Sequence, residues 1–200
     1  IDTVREIRKR LNTGAVGEVK TASFRVHAYC HHHALDLIRF LFGEPDEVFA
    51  ALTEIAGERN YAWDHAHELL YIPSYNETTV MRFGKMLLTL SATHRSFHYP
   101  LLEIDIAGTT GTIQARHMNF DSINGTLEIR REDENERIVP EPLTLDGTFH
   151  RSVAGWVEKL QGAATDSATG EDGQRTMLLE AAISRSHRER AWVAPGVGIG

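Results

Sequence analysis

The chain has 200 residues, 42% hydrophobic and 24% charged, enough for one domain with a sizeable core. A net charge of −7 and a pI near 5.9 leave no basic stripe to neutralise phosphates, which argues against a nucleic-acid partner. The single cysteine, Cys30, rules out an intrachain disulfide.

A lone thiol fits a reducing compartment. No signal-peptide pattern occurs, and no apolar run nears the ~20 residues of a membrane span, so a cytoplasmic protein with no membrane partner is expected. Two Asn-x-Thr triplets, at Asn76 and Asn124, match the glycosylation sequon but carry little weight in such a chain. The chain starts at Ile1 rather than Met, which leaves room for a preceding segment. No Pro/Gly/Ser-rich linker divides it, so residues 1–200 are read as a single domain.

In chain order, Asp2 is expected to cap a helix with Val4, Ile7 and Leu11 on one face, ended by Gly14. Its "REIRKR" run (5–10) reads as a solvated helix face. Residues 17–29 read as a strand and 30–42 as a second helix, closed by Gly43 and Pro45. Residues 46–57 form another strand, and an irregular loop follows. Three hairpins come next: 77–83 with 85–94 around Gly84, 101–116 turning through Gly108 to Gly111, and "TLEIRRED" with "ERIVPEPL". Two helices close the chain. The first, 147–161, carries Phe149, Val153, Trp156, Val157 and Leu160 on one stripe. The second, 171–187, is expected to turn Met177, Leu178, Ala181 and Ala182 inward, and "AWV" (191–193) is a possible last strand. This order predicts an α+β fold: a large, mostly antiparallel or mixed open-faced β-sheet, with helices packed on one face and the other face available to a partner.

The stretch "AYCHHHALDLIRFLFGEPDEV" (28–48) carries the densest chemistry. Consecutive helical residues sit about 100° apart, so His31, His32 and His33 cannot all face one metal ion. A second cluster, Asp64, His65 and His67, lacks a two-His-plus-acid spacing with them, and no metal site is expected. His33 shares a helix face with Asp36, which leaves two readings: a core-edge histidine bonded to Asp36, or a proton-transfer group with a pKa near neutrality. The glycine motifs do not make a nucleotide loop. "GTTG" (108–111) sits between strands, "GVGIG" (196–200) has no following helix, and "GAVGEV" (14–19) precedes a strand.

Several segments together resemble the C-terminal domain of the Gfo/Idh/MocA oxidoreductases, the glucose-fructose oxidoreductase and inositol dehydrogenase family. "LNTGAVGEV" is similar to the family's "isG.iGeV", and "HHHALDLIRFLFGEPDEVFA" to "giHliDl.r.l.GePveV.a". "LLEIDIAGTTGTIQA" is similar to "l.i.Gt.Gsi". The closing "FHRSVAGWVEKLQGAATDSATGEDGQRTMLLEAAISRSHRERAWV" is similar to "f...l.nfv.ai..g..p.vtgeDG...l.l.eAi..Sa..gr.V".

The resemblance implies a substrate-binding and oligomerisation domain, with a sugar, cyclitol or related polyol as small-molecule substrate. NAD or NADP would be bound mainly by an N-terminal Rossmann domain absent from this chain, so the chain alone is expected to bind no cofactor and to be inactive. It also implies a homo-oligomer formed through the open sheet face. The family's acid/base histidine maps onto His33 and the aspartate that follows it onto Asp36. The aspartate expected four residues before His33 is Tyr29 here, an auxiliary acid or hydrogen-bond donor. His31, His32, Trp63, Asp64, His65 and His67 are candidates for the substrate rim. The rival reading is a non-catalytic ligand-binding or dimerisation module derived from the family.

Overall fold

The computed structural model describes residues 1–54, 75–93, 101–119 and 121–196. Helix α1 (Asp2–Asn12) leads into strand β1 (Val19–His27), a 3₁₀ turn (Ala28–Cys30) and helix α2 (His31–Phe42). Strands β2 (Glu47–Glu54), β3 (Tyr75–Phe83), β4 (Met86–Thr93), β5 (Leu102–Gly108), β6 (Gly111–Met118), β7 (Thr126–Arg131) and β8 (Asn135–Ile138) follow. Helices α3 (Leu145–Leu160) and α4 (Gly170–Glu189) close the chain.

The strands form one eight-stranded sheet in the order β2-β3-β4-β1-β5-β6-β7-β8. Only β1 and β4 run parallel; every other neighbouring pair is antiparallel. The α+β expectation of a mixed open sheet is thus met.

Alternation sorts the side chains between the two faces. Ala22, Phe24 and Val26 of β1, Leu88 and Leu90 of β4, and Ile104 and Ile106 of β5 pack against Val4 and Ile7 of α1, Leu35 and Ile38 of α2, and Leu179 and Ile183 of α4. The opposite face is polar. Arg25 pairs with Glu103 directly across β1 and β5, Arg116 pairs with Asp105, and Arg130 lies 2.7 Å from Glu128.

The first edge strand is covered along its outer side. The amides of Val48, Ala50 and Leu52 donate to Val193 O at 2.8 Å, Ser186 Oγ at 3.0 Å and His187 Nδ1 at 3.2 Å. The C-terminal end of α4 therefore does the work of a ninth strand, and "AWV" contributes only the bridge from Val193 to Val48.

Two glycine motifs fold onto one another. A Cβ on Gly108 would sit 2.1 Å from Val16 O, and one on Gly17, at φ +71°, 2.2 Å from Thr109 Oγ1. The amides of Thr109 and Thr110 donate to Glu18 O and Val16 O, each at 3.0 Å. Close backbone approach accounts for both "GAVGEV" and "GTTG".

Three expectations need correction. Asp2 lies inside the first turn of α1 rather than capping it. Its carboxylate accepts from Asn124 Nδ2 at 3.0 Å and Arg151 Nη1 at 2.8 Å, and the sequon residue Asn124 is itself fully buried. Helix α4 is rotated from the expected face: Met177 and Ala181 point outward and Leu178 is half-buried. Thr176, Leu179, Ala182, Ile183 and Ser186 are buried. Polar Thr176 and Ser186 turn inward because they bond Arg39 Nη1 and the Ala50 amide. Helix α3 is not packed into the core: none of its residues is buried.

Gly108→Ala, driven against a backbone carbonyl, should lose about 1–3 kcal/mol in urea unfolding. Gly173→Ala, on α4 with open space around it, should gain about 0.5–1 kcal/mol. Equal effects from the two would contradict the loop-contact account.

Candidate functional site at the head of helix α2

The turn Ala28–Cys30 breaks β1 from α2 and sets three histidines in the helix's first turn. They point in three directions, as helical spacing requires.

His31 points inward and is 3% exposed, so it does not stand on a substrate rim. Its Nε2 lies 3.0 Å from Glu77 Oε2 of β3, and its Nδ1 lies 3.8 Å from Glu180 Oε1 of α4. Glu77 is drawn inside by register: it alternates with Thr79 and Met81, both buried. Thr79 Oγ1 donates to the other Glu77 oxygen. Burial pulls the His31 pKa down, but the carboxylates of Glu180 and Glu77 outweigh it and push the imidazole up to about 9. His31 is therefore a cation at neutral pH, and its charge holds the Glu180 carboxyl below the usual range against the effect of burial. The two acids also face the positive N-terminal end of α2, which lacks a side-chain cap.

His33 points the other way. With Asp36 it borders a cavity of about 290 Å³ whose other walls are mainly apolar, with Val26, Leu101, Leu102 and Met118 on the sheet side and Leu145 and Phe149 of α3 joined by the hydroxyls of Thr148 and Ser152. His33 is solvent-exposed, and its ring sits 4.0 Å from that of His32, centroid to centroid. Desolvation by the cavity wall, and then the neighbouring His32, lower the His33 pKa below 6.5. At neutral pH it is an uncharged proton acceptor.

Burial raises the Asp36 pKa, with Asp172 adding to it and Arg39 and His32 opposing. The carboxylate lies 3.6 Å from Arg39 Nη1, and no bond from it to His33 forms among the described residues. His32 is exposed. Tyr29 lies in the 3₁₀ turn, and its side chain is outside the described residues, as are Trp63, Asp64, His65 and His67. Among the described residues no three His, Cys, Asp or Glu side chains gather where they could hold a metal ion.

The far end of α2 is held by Arg39. Its Nε and Nη2 donate to Glu44 Oε1 at 3.0 and 2.7 Å, and its Nη1 donates to the Asp172 carbonyl at 2.7 Å and Thr176 Oγ1 at 2.9 Å. Sequence reasoning missed Glu77, Glu180 and Arg39. The available signal was a glutamate in phase with buried Thr79 and Met81 on a strand.

Residues 13–194 match a profile described as "Oxidoreductase family, C-terminal alpha/beta domain", that of the Gfo/Idh/MocA proteins. The chain belongs to this family. No curated protein gives a significant match to the sequence.

Solved chains share the domain's fold. An oxidoreductase from Agrobacterium radiobacter, in complex with NAD+, L-tartaric acid and magnesium, aligns with TM-score 0.75 at 17% identity, over 97% of this chain and 62% of that one. Levoglucosan dehydrogenase, in complex with NADH and levoglucosan, gives 0.76 at 16%, over 97% and 65%. The WlbA dehydrogenase from Bordetella pertussis, in complex with NADH and UDP-GlcNAcA, gives 0.69 at 15%, over 98% and 62%. This Gfo/Idh/MocA domain thus spans less than two thirds of the length of each.

The His31 arrangement has a pH signature. A pKa raised from 6.5 to about 9 in the folded state adds stability that is complete below pH 6.5 and lost as pH rises through about 9. Wild-type unfolding free energy should fall across that window, while His31→Gln should flatten the slope. Glu77→Ala, which leaves a buried imidazolium short of a partner, should cost about 3–5 kcal/mol. An unchanged slope in His31→Gln would refute the buried cation.

Proposed function

We propose that this domain forms the substrate side of an NAD(P)-dependent oxidoreductase acting on a sugar, cyclitol or related polyol, with His33 as its proton acceptor. One observation carries the reading: in a chain of this oxidoreductase family, an exposed histidine whose pKa is lowered by desolvation lines a mainly apolar cavity.

The residues present suit the substrate's side of such a site rather than the cofactor's. Their glycine loops are used up against each other, and no strand–glycine–helix cradle is left among the described residues to bind a pyrophosphate. NAD or NADP would be held by a Rossmann domain elsewhere in the polypeptide, where its nicotinamide accepts or returns the hydride.

This chain's own contribution is proton transfer and orientation. His33, neutral at pH 7, takes the hydroxyl proton as the alcohol is oxidised and returns it in the reverse direction. Tyr29, four residues before it, donates a hydrogen bond to the substrate, and Asp36 sets the field around the imidazole. His32, with Trp63, Asp64, His65 and His67, supplies polar contacts to the rest of the polyol. The open sheet face serves homo-oligomer formation.

A second reading, a binding or dimerisation module without chemistry, is favoured by Tyr29 standing where the family has an aspartate and by the turn of Asp36 toward Arg39.

The deciding experiment uses the longer protein, NAD or NADP, and a panel of sugars and cyclitols, with nicotinamide absorbance as readout. Turnover should drop about 10²–10⁴-fold in His33→Ala. Alcohol oxidation should lose rate on acidification with a midpoint below the ordinary histidine value of 6.5, because the His33 pKa is lowered. Full activity in His33→Ala removes it from the mechanism, and no turnover with any polyol favours the second reading.

A further inference from the structure

Strand β6 carries one residue too many for its partner. Leu102 of β5 pairs with Met118 and Ile104 with Ala115, so Arg116 and His117 together stand opposite Glu103. This is a β-bulge. Its second residue, His117, has φ +59°. Among the described residues only one other non-glycine residue has a positive φ, Arg190, which ends α4. The left-handed region disfavours residues with a Cβ, so the position holds strain.

The bulge decides which side chains turn inward. Ile113 and Ala115 are buried. Regular alternation would send His117 into the core after them and turn Met118 to the polar face. The extra residue reverses both: His117 is exposed, and Met118 is 2% accessible.

The arrangement is locked from three sides. Arg116 Nη1 donates to the carbonyls of Ile104 at 3.0 Å and Ala115 at 2.9 Å. The Leu101 amide donates to the Met118 carbonyl at 3.2 Å. Gly125, at φ +59°, lies so close that a Cβ there would stand 2.7 Å from Met118 Cγ. A strained residue held by this many contacts points to a role for what it positions.

What it positions is a wall of the candidate site. Met118 and its cross-strand partner Leu102 both line the cavity that His33 and Asp36 border. An unbranched thioether moulds itself to an irregular apolar surface. It is a poor hydrogen-bond partner, so a substrate hydroxyl buried against it goes unpaired at a cost. A ring polyol can turn a face of C–H groups to such a wall while its reacting hydroxyl meets His33. An open-chain polyol has no such face.

We propose that Met118, turned inward by the bulge at Arg116–His117, is a specificity-determining residue that packs against the C–H face of a ring substrate. The proposal rests on the oxidoreductase reading above and narrows its substrate to ring alcohols. His117 acts through Met118 and is a positioning residue.

The test compares the longer protein as wild type, Met118→Leu, Met118→Gln, His117→Val and His117→Gly, on pyranoses and cyclitols and on open-chain hexitols. Nicotinamide absorbance gives kcat and KM, and calorimetry gives Kd. Wild type should prefer rings. Met118→Gln, close in volume but polar, should raise Kd and KM for rings at least about tenfold while kcat and the hexitol constants change little. Met118→Leu should keep the ring preference. His117→Val, whose branched Cβ resists the left-handed conformation, should lose part of it, and His117→Gly should recover it. The exposed His117 position carries the test where Met118→Gln fails to fold. A wild type without ring preference overturns the proposal. So does an equal loss for rings and hexitols in Met118→Gln, which a merely structural role would give, and so does a His117→Gly variant that behaves like His117→Val. In each of these outcomes turnover stands, and the oxidoreductase reading with it. Ring binding that depends on Met118 without turnover of any polyol supports the wall and defeats the oxidoreductase reading instead, and neither binding nor turnover defeats both.

Discussion

Buried charge grips α2 at both ends, and the geometry of the site follows from that grip. At the N-terminal end the His31 cation lies between Glu77 of β3 and Glu180 of α4. At the C-terminal end the Arg39 guanidinium joins Glu44 to the first turns of α4. Such groups are costly to bury and costlier to leave unpaired, so they tolerate few alternative placements. The helix cannot slide or roll without uncovering one of them. His33, two residues from His31, inherits that rigidity while keeping a face on the cavity. The same run of histidines thus provides a fixed cation and an uncharged acceptor, set apart by environment alone.

Motifs that look alike in sequence arise from different physical needs. The "TGED" of the closing segment is a capping box: the Thr169 hydroxyl accepts from the Asp172 amide and the Asp172 carboxylate accepts from the Thr169 amide, which starts α4. Because the Asp172 carbonyl also accepts from Arg39, this helix start is wired to α2. The glycines of "GAVGEV" and "GTTG" serve backbone contact between two loops, not a phosphate. The resemblance that identified the family is largely a record of these joints.

Much of the architecture was legible in the sequence because alternation and turn glycines are local signals. The strands and their hairpins, the second helix, and the open polar face all follow from them. The site was legible only in part. Helical spacing separates the three histidines, but it does not tell which one faces in, because that depends on Glu77 and Glu180, distant in sequence. The inward face of α4 was misread for the same reason: Thr176 and Ser186 are buried by partners on α2 and β2, so apolarity alone pointed to the wrong stripe. The stripe of α3 was read correctly but its destination was not, since its own domain leaves it bare.

The position of β1 has a consequence for how the chain reaches this structure. Strands β3 and β4 pair across a tight turn, and β5 to β8 each pair with the next strand in sequence. Strand β1 has no such neighbour: its Phe24 lies opposite Leu90 on one side and Ile104 on the other. Closing those loops costs more chain entropy than closing a hairpin. The order favoured by loop entropy assembles the two flanking meanders first and threads β1 between them last. Because β1 leads directly into the histidine turn, the site takes shape in that final step, and a chain arrested before it would hold most of its sheet and none of its chemistry.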